Sequence, residues 1–147
     1  MKRHILVSLL ITSAFVMILS VISESPGQEK ARQEPSPGEI RDFTIARLVV
    51  GTGVENREPV GVAESFPAST ERVYCFLEAV DIAKDTEVSF VWYLDQNELL
   101  TFNLPLEKGA RWRTFAFKNL HGQKGDWKVE IRDEDGKPLK EVKFKVE

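Results

Sequence analysis

From Trp127 to Arg132, and again from Leu139 to Val146, apolar and charged side chains alternate with period two. Val142, Phe144 and Val146 share one parity; Glu141, Lys143 and Lys145 share the other. This alternation fits a half-buried strand and does not fit a helix, whose apolar positions recur every three to four residues. Between the two runs stands Asp133-Glu134-Asp135-Gly136-Lys137, and Asp-Gly is a strong hairpin signal. Five more strand-like runs precede the pair, at Phe43–Val50, Arg72–Val80, Glu87–Leu94, Leu99–Leu106 and Trp112–Phe117. Asp95-Gln96-Asn97 and Glu107-Lys108-Gly109 supply turn residues between them. The fold expected for residues 40–147 is therefore all-β, an immunoglobulin-like β-sandwich of about seven strands. A partly open barrel is the alternative. Trp92, Trp112 and Trp127 fall within strands, where a core role is expected ahead of a ligand platform.

The N-terminus follows different rules. Lys2 and Arg3 precede Ile5 to Ile22, an uncharged run of 18 residues. As a helix this run would be about 27 Å long at 1.5 Å per residue, close to the hydrocarbon thickness of a bilayer. It is also longer than the core of an ordinary secretory signal. Residues 1–23 are thus expected to be a signal peptide or a membrane anchor. The weak cleavage motif near Ser23 and Ser25 favours the anchor. Either way the basic end stays inside, and the domain is exported to the periplasm or beyond. No cysteine follows the run, which excludes lipid attachment there. Residues 24–39 contain Pro26, Pro35 and Pro37 and almost no apolar side chains, so a disordered linker is expected.

Charge narrows the function classes without choosing one. The formal charge of −3 argues for no nucleic-acid partner. Residues 24–107 carry −9 and residues 108–147 carry +4. The single cysteine, Cys75, lies in the apolar run Val73–Leu77, where a buried inert thiol is expected. There is no CxxC and no Cys/His cluster, so neither a metal nor another cofactor is expected. Asp133, Glu134 and Asp135 lack the spacing of a calcium loop. Of the two histidines, His4 is in the targeting segment and only His121 is in the domain. With no nucleophile-elbow serine, the chain is read as non-catalytic.

Two regions stand out as candidate binding surfaces. Residues 51–71 form a 21-residue connection, longer than compact domains usually tolerate without a role. It carries Glu55, Asn56, Arg57 and Glu58. The plainer reading is a covering loop, in which Val54, Val60 and Phe66 plug the end of the sandwich and Glu55, Arg57 and Glu58 pair locally. The second region is a basic neighbourhood of Arg111, Arg113, Lys118, His121 and Lys124. On the fifth strand Arg111, Arg113, Phe115 and Phe117 share one parity, and Trp112, Thr114 and Ala116 the other. Mixed charge and aromatics on one parity imply either a bulge or a half-exposed aromatic–cation surface. Such a surface suits an acidic protein or an anionic glycan. Pairing of these arginines with Glu55 and Glu58 would instead make a structural ion-pair network.

The segment Gly53-Val54-Glu55-Asn56-Arg57-Glu58-Pro59-Val60 resembles the signature of a bacterial family described only as a domain of unknown function, found behind membrane segments in envelope proteins. Further similarities follow in order, from Phe66 and Glu71–Phe76 through Trp92, Arg111-Trp112-Arg113, Lys118-Asn119-Leu120 and Gly125-Asp126-Trp127, over residues 45–147. Where the family pattern often carries a histidine two positions before Trp92, this chain has Phe90. Any role built on that histidine does not carry over. The resemblance implies an envelope domain and brings no activity, cofactor or substrate. The expected function is binding of an envelope protein or glycan. A purely structural domain is the second reading, and an enzyme the third.

Overall fold

The computed structural model describes residues 41–147. The segment expected over 1–23 and the linker expected over 24–39 lie outside the described residues. The described chain holds ten strands and no helix. They are β1 (Thr44–Gly51), β2 (Gly53–Glu55), β3 (Glu58–Val60), β4 (Ser65–Phe66), β5 (Arg72–Ile82), β6 (Thr86–Leu94), β7 (Asn97–Leu106), β8 (Gly109–Asn119), β9 (Gly125–Arg132) and β10 (Pro138–Val146).

The seven longer strands are those expected from alternation. They divide into two sheets, β1-β5-β8 and β4-β10-β9-β6-β7. Inward side chains of both sheets merge into one buried cluster, giving a β-sandwich-like fold. From β5 it receives Val73, Cys75, Leu77 and Ala79, from β6 Val88, Phe90 and Trp92, and from β9 Trp127, Val129 and Ile131. Phe144 of β10 is the aromatic hub of this cluster. It stacks on Trp127 at 5.8 Å and meets Phe66 and Trp92 edge-on at 5.7 and 6.4 Å. Trp127 Nε1 donates to the Gln123 carbonyl at 3.1 Å, whereas the buried Trp92 Nε1 meets no acceptor. Trp112 is only half-buried and packs on the core margin.

The turns follow their chemistry. At the β9–β10 turn Asp133 Oδ1 accepts from the Asp135 and Lys137 amides at 3.0 and 2.8 Å, and Gly136 takes a positive φ of 81°. Glu134 there is engaged by Lys84 and by the Thr86 hydroxyl, so these acids serve the turn and its neighbours. Asp95 and Gln96 both have positive φ between β6 and β7, as a two-residue hairpin demands.

The 51–71 connection departs from expectation. It is not a plain loop plugging the sandwich end. β2 and β3 pair as a hairpin, with Glu55 opposite Glu58 and the turn made by Asn56 and Arg57 at φ 50° and 63°. β4 then runs parallel to the end of β10, which buries Phe66. The hairpin folds back on the outer face of the three-stranded sheet, β2 against β5 and β3 against β1. Gly51 permits this, because a Cβ there would overlap the Val60 carbonyl. The Thr52 amide and the Val60 carbonyl close the base at 3.0 Å. Beneath lies Phe76, only 1% exposed although it points away from the main core.

Candidate functional site

The outer face of the three-stranded sheet is organised in rows across β1, β5 and β8. Registers align Arg47, Glu78 and Arg113 in one row, Val49, Phe76 and Phe115 in the next, and Gly51, Tyr74 and Phe117 in a third. The β5–β8 ladder carries no register shift, so no bulge accounts for the parity of β8. Its charges and aromatics share a face because that face is outward.

Glu78 centres the charged row. Its side chain is 12% exposed, and Arg113 Nε donates to it. Arg47 approaches at 3.6 Å and Arg111, loosely, at 3.9 Å. The hydrogen bond from Arg113 holds the Glu78 carboxyl below the usual range; burial opposes this, and the charges of Arg113, Arg111 and Arg47 assist it. From above, Glu58 on the hairpin meets Arg47 and Arg113, each at 2.7 Å. Two arginines therefore clamp two carboxylates, one from the sheet and one from the hairpin. Such charge-assisted pairs fix geometry as well as adding energy.

The remaining cations of this face are less engaged. Arg57 makes no ion pair among the described residues, and Arg111 is 59% exposed. Asn56, Arg57, Arg111 and Arg113 line a cleft of about 240 Å³ between hairpin turn and β8. Along β8 the face turns aromatic. Phe115 and Phe117 are each 42% exposed and flank Tyr74 at centroid distances of 5.8 and 5.9 Å. Arg72 lies over the Phe117 ring at 4.3 Å and donates to Asn119.

Of the residues singled out from sequence, Asn56, Arg57, Glu58, Arg111 and Arg113 thus come together. Glu55 does not join them. It is exposed and unpaired among the described residues, so the expected local pairing with Arg57 is not formed. Lys118 and His121 are elsewhere too. Lys118 stands seven positions along the strand from Arg111, roughly 23 Å. Lys118 has the inward parity, donates to the Asn119 carbonyl at 3.0 Å and lies 6.0 Å from the Trp127 ring. His121, with φ 51°, lines a separate shallow cleft with Ser69, Thr70, Glu71 and Asn119. Sequence reading missed Glu78, Arg47 and Tyr74. The signal for Glu78 was a carboxylate inside an apolar strand, which needs a cationic partner to be buried. Cys75, on the opposite side of β5, is fully buried, and burial pushes its thiol far up.

A family model described as "Protein of unknown function (DUF2914)" matches residues 85–146. The match takes in β6 to β10, with Trp92, the Arg111–Arg113 segment and Trp127. It leaves out the hairpin segment 53–60 that carries the signature-like motif. No curated protein matches the chain.

Proposed function

We propose that this chain is an exported, non-catalytic, immunoglobulin-like domain that binds a protein or glycan partner through the outer face of β1-β5-β8. The topology supports the fold part of this reading. In chain order β1, β5, β6, β7, β8, β9 and β10 take the roles A, B, C, C′, E, F and G, with sheets A-B-E and G-F-C-C′. Export rests on the uncharged run Ile5–Ile22, which would leave the domain either anchored on the periplasmic side or released there. The observation that carries the binding reading is the exposed Phe115 and Phe117 pair on the same outward face of β8 as Arg111, which lines the cleft with Arg57. Aromatics and arginines are the side chains that most often dominate interface energy. A purely structural role is favoured by the clamp of Arg47 and Arg113 on Glu58 and Glu78, which ties hairpin to sheet.

Crosslinking from intact envelopes separates the readings. The full chain should capture a specific partner, and Phe115→Ser with Phe117→Ser should abolish capture without lowering thermal stability. Replacing Arg57 and Arg111 by alanine should act likewise. Loss of stability with unchanged capture would move the function away from this face.

A further inference from the structure

β8 has one neighbour in its sheet, and residues 110–118 make no backbone hydrogen bond beyond the β5 ladder among the described residues. A free sheet edge is ordinarily blunted by shortness, a bulge, proline or charged side chains. The other edges here show those devices. β4 has two residues, β1 has a register shift at Ile45/Arg47, and β7 contains Pro105 and a shift against β6 at Trp92/Tyr93. β8 has no bulge and no proline over its 11 residues, and its only such device is positive charge, on Arg111, Arg113 and Lys118. The backbone amides and carbonyls on its free side have no backbone partner among the described residues, which leaves them open to strand addition.

Charge selects what can be added. A second copy paired antiparallel about Thr114 would set Arg111 against Phe117 of the other chain, where Arg72 already covers the ring. β8 itself carries no carboxylate between Gly109 and Asn119, so self-pairing would leave Arg57 and Arg111 unmet. An acidic strand meets the opposite situation. Its alternate side chains would stand about 5 Å from Arg111, Arg113, Phe115 and Phe117 in turn. Arg113 is already satisfied by Glu58 and Glu78. The unmet cations are Arg57 and the loosely held Arg111, both on the 240 Å³ cleft.

We infer that the free edge of β8 takes up an extended acidic segment of a partner protein by strand addition. A carboxylate of that segment enters the cleft of Asn56, Arg57 and Arg111, and apolar side chains two and three alternations further along cover Phe115 and Phe117. This rests on the partner-binding reading above and specifies its chemistry.

The test uses the purified full-length chain and a synthetic peptide library with threonine at every second position and the rest randomised. Selection should enrich glutamate or aspartate at one end and aromatic or branched side chains at the other. The best peptide should bind Arg111→Glu about tenfold more weakly. Replacing its acid by lysine should restore binding to that variant. N-methylation of the peptide amides along one edge should abolish binding, and along the other edge leave it intact. Bound peptide should also slow amide exchange at alternate residues of β8. Equal binding of both N-methylated peptides would overturn strand addition. So would a library with no enrichment while a sulfated oligosaccharide binds in an Arg111-dependent way; the binding face would then survive and its ligand would be a glycan. Dimerisation through β8 that no peptide competes would equally overturn the acidic partner. If neither peptide, oligosaccharide nor envelope material responds to Phe115→Ser, the binding reading itself falls.

Discussion

The two outer faces of this domain solve the same problem differently. On the β10-β9-β6-β7 side, polar groups answer one another at short range. Arg132 donates to Glu130 at 2.7 Å and to the Tyr93 hydroxyl at 2.6 Å, and Tyr93 reaches Glu98. Lys128 lies between Glu130 and Glu141, and Lys143 also meets Glu141. Ser89 donates to Asn103. Charges on this face alternate in sign; the exposed pair of Lys143 and Glu141 is individually weak, whereas Glu130 beside Arg132 is only 14% exposed. The β1-β5-β8 side instead buries a phenylalanine and a carboxylate under a hairpin, yet leaves Phe115, Phe117, Arg111 and Arg57 without equivalent cover. This second face has a sealed half and an open half, and the open half coincides with the bare edge of β8.

Substitutions can break this contrast in graded steps. The largest effect is expected at Phe76→Ala. The ring is sealed between sheet and hairpin, so its loss should cost about 3 kcal/mol in urea unfolding. A cost under about 1 kcal/mol would mean the hairpin is a loose flap. Next comes Gly51→Ala, which should push the Val60 carbonyl away and destabilise by roughly 2 kcal/mol. Faster amide exchange at Thr52 and Ala63 would report that displacement, because both amides bond across the hairpin base.

The pH dependence should separate the faces further. The Glu78 carboxyl is held below its ordinary value in the folded chain, first by the Arg113 hydrogen bond. Its contribution to stability is therefore complete above the unfolded value, about pH 4.3, and is lost as pH falls through the lower folded value. The melting temperature of the wild type should drop more steeply below about pH 4 than that of Glu78→Gln. Parallel curves would remove the charged row from the stability account. The smallest effect is expected on the opposite face. Lys143→Ala, breaking an exposed contact to Glu141 at 3.3 Å, should change stability by a few tenths of a kcal/mol at most, and less in high salt.

How far all this was legible depends on whether the signal is local. The β9–β10 hairpin was readable because alternation and Asp-Gly both act within a few residues. The parity of β8 was equally visible, and with it the company that Arg111 and Arg113 keep with Phe115 and Phe117. β2 and β3 were not readable. They are three residues each, too short for any alternation, and the Asn56-Arg57 turn lacks the glycine that usually marks a tight hairpin. Glu78 could be noticed but not explained, since its partners Arg47 and Arg113 lie on other strands, 31 and 35 positions away.

By itself, then, the sequence determined the seven long strands, their inward sides and the mixed character of β8, because period-two patterning is a property of the chain. It did not determine which outer face would be covered. That was decided by tertiary structure, which swings the hairpin over Phe76 and Glu78 and lets it reach β8 through the Glu58–Arg113 pair while leaving Phe115 and Phe117 uncovered. The physical reason is that strand order, and therefore which edge stays bare, depends on pairings between residues far apart in sequence.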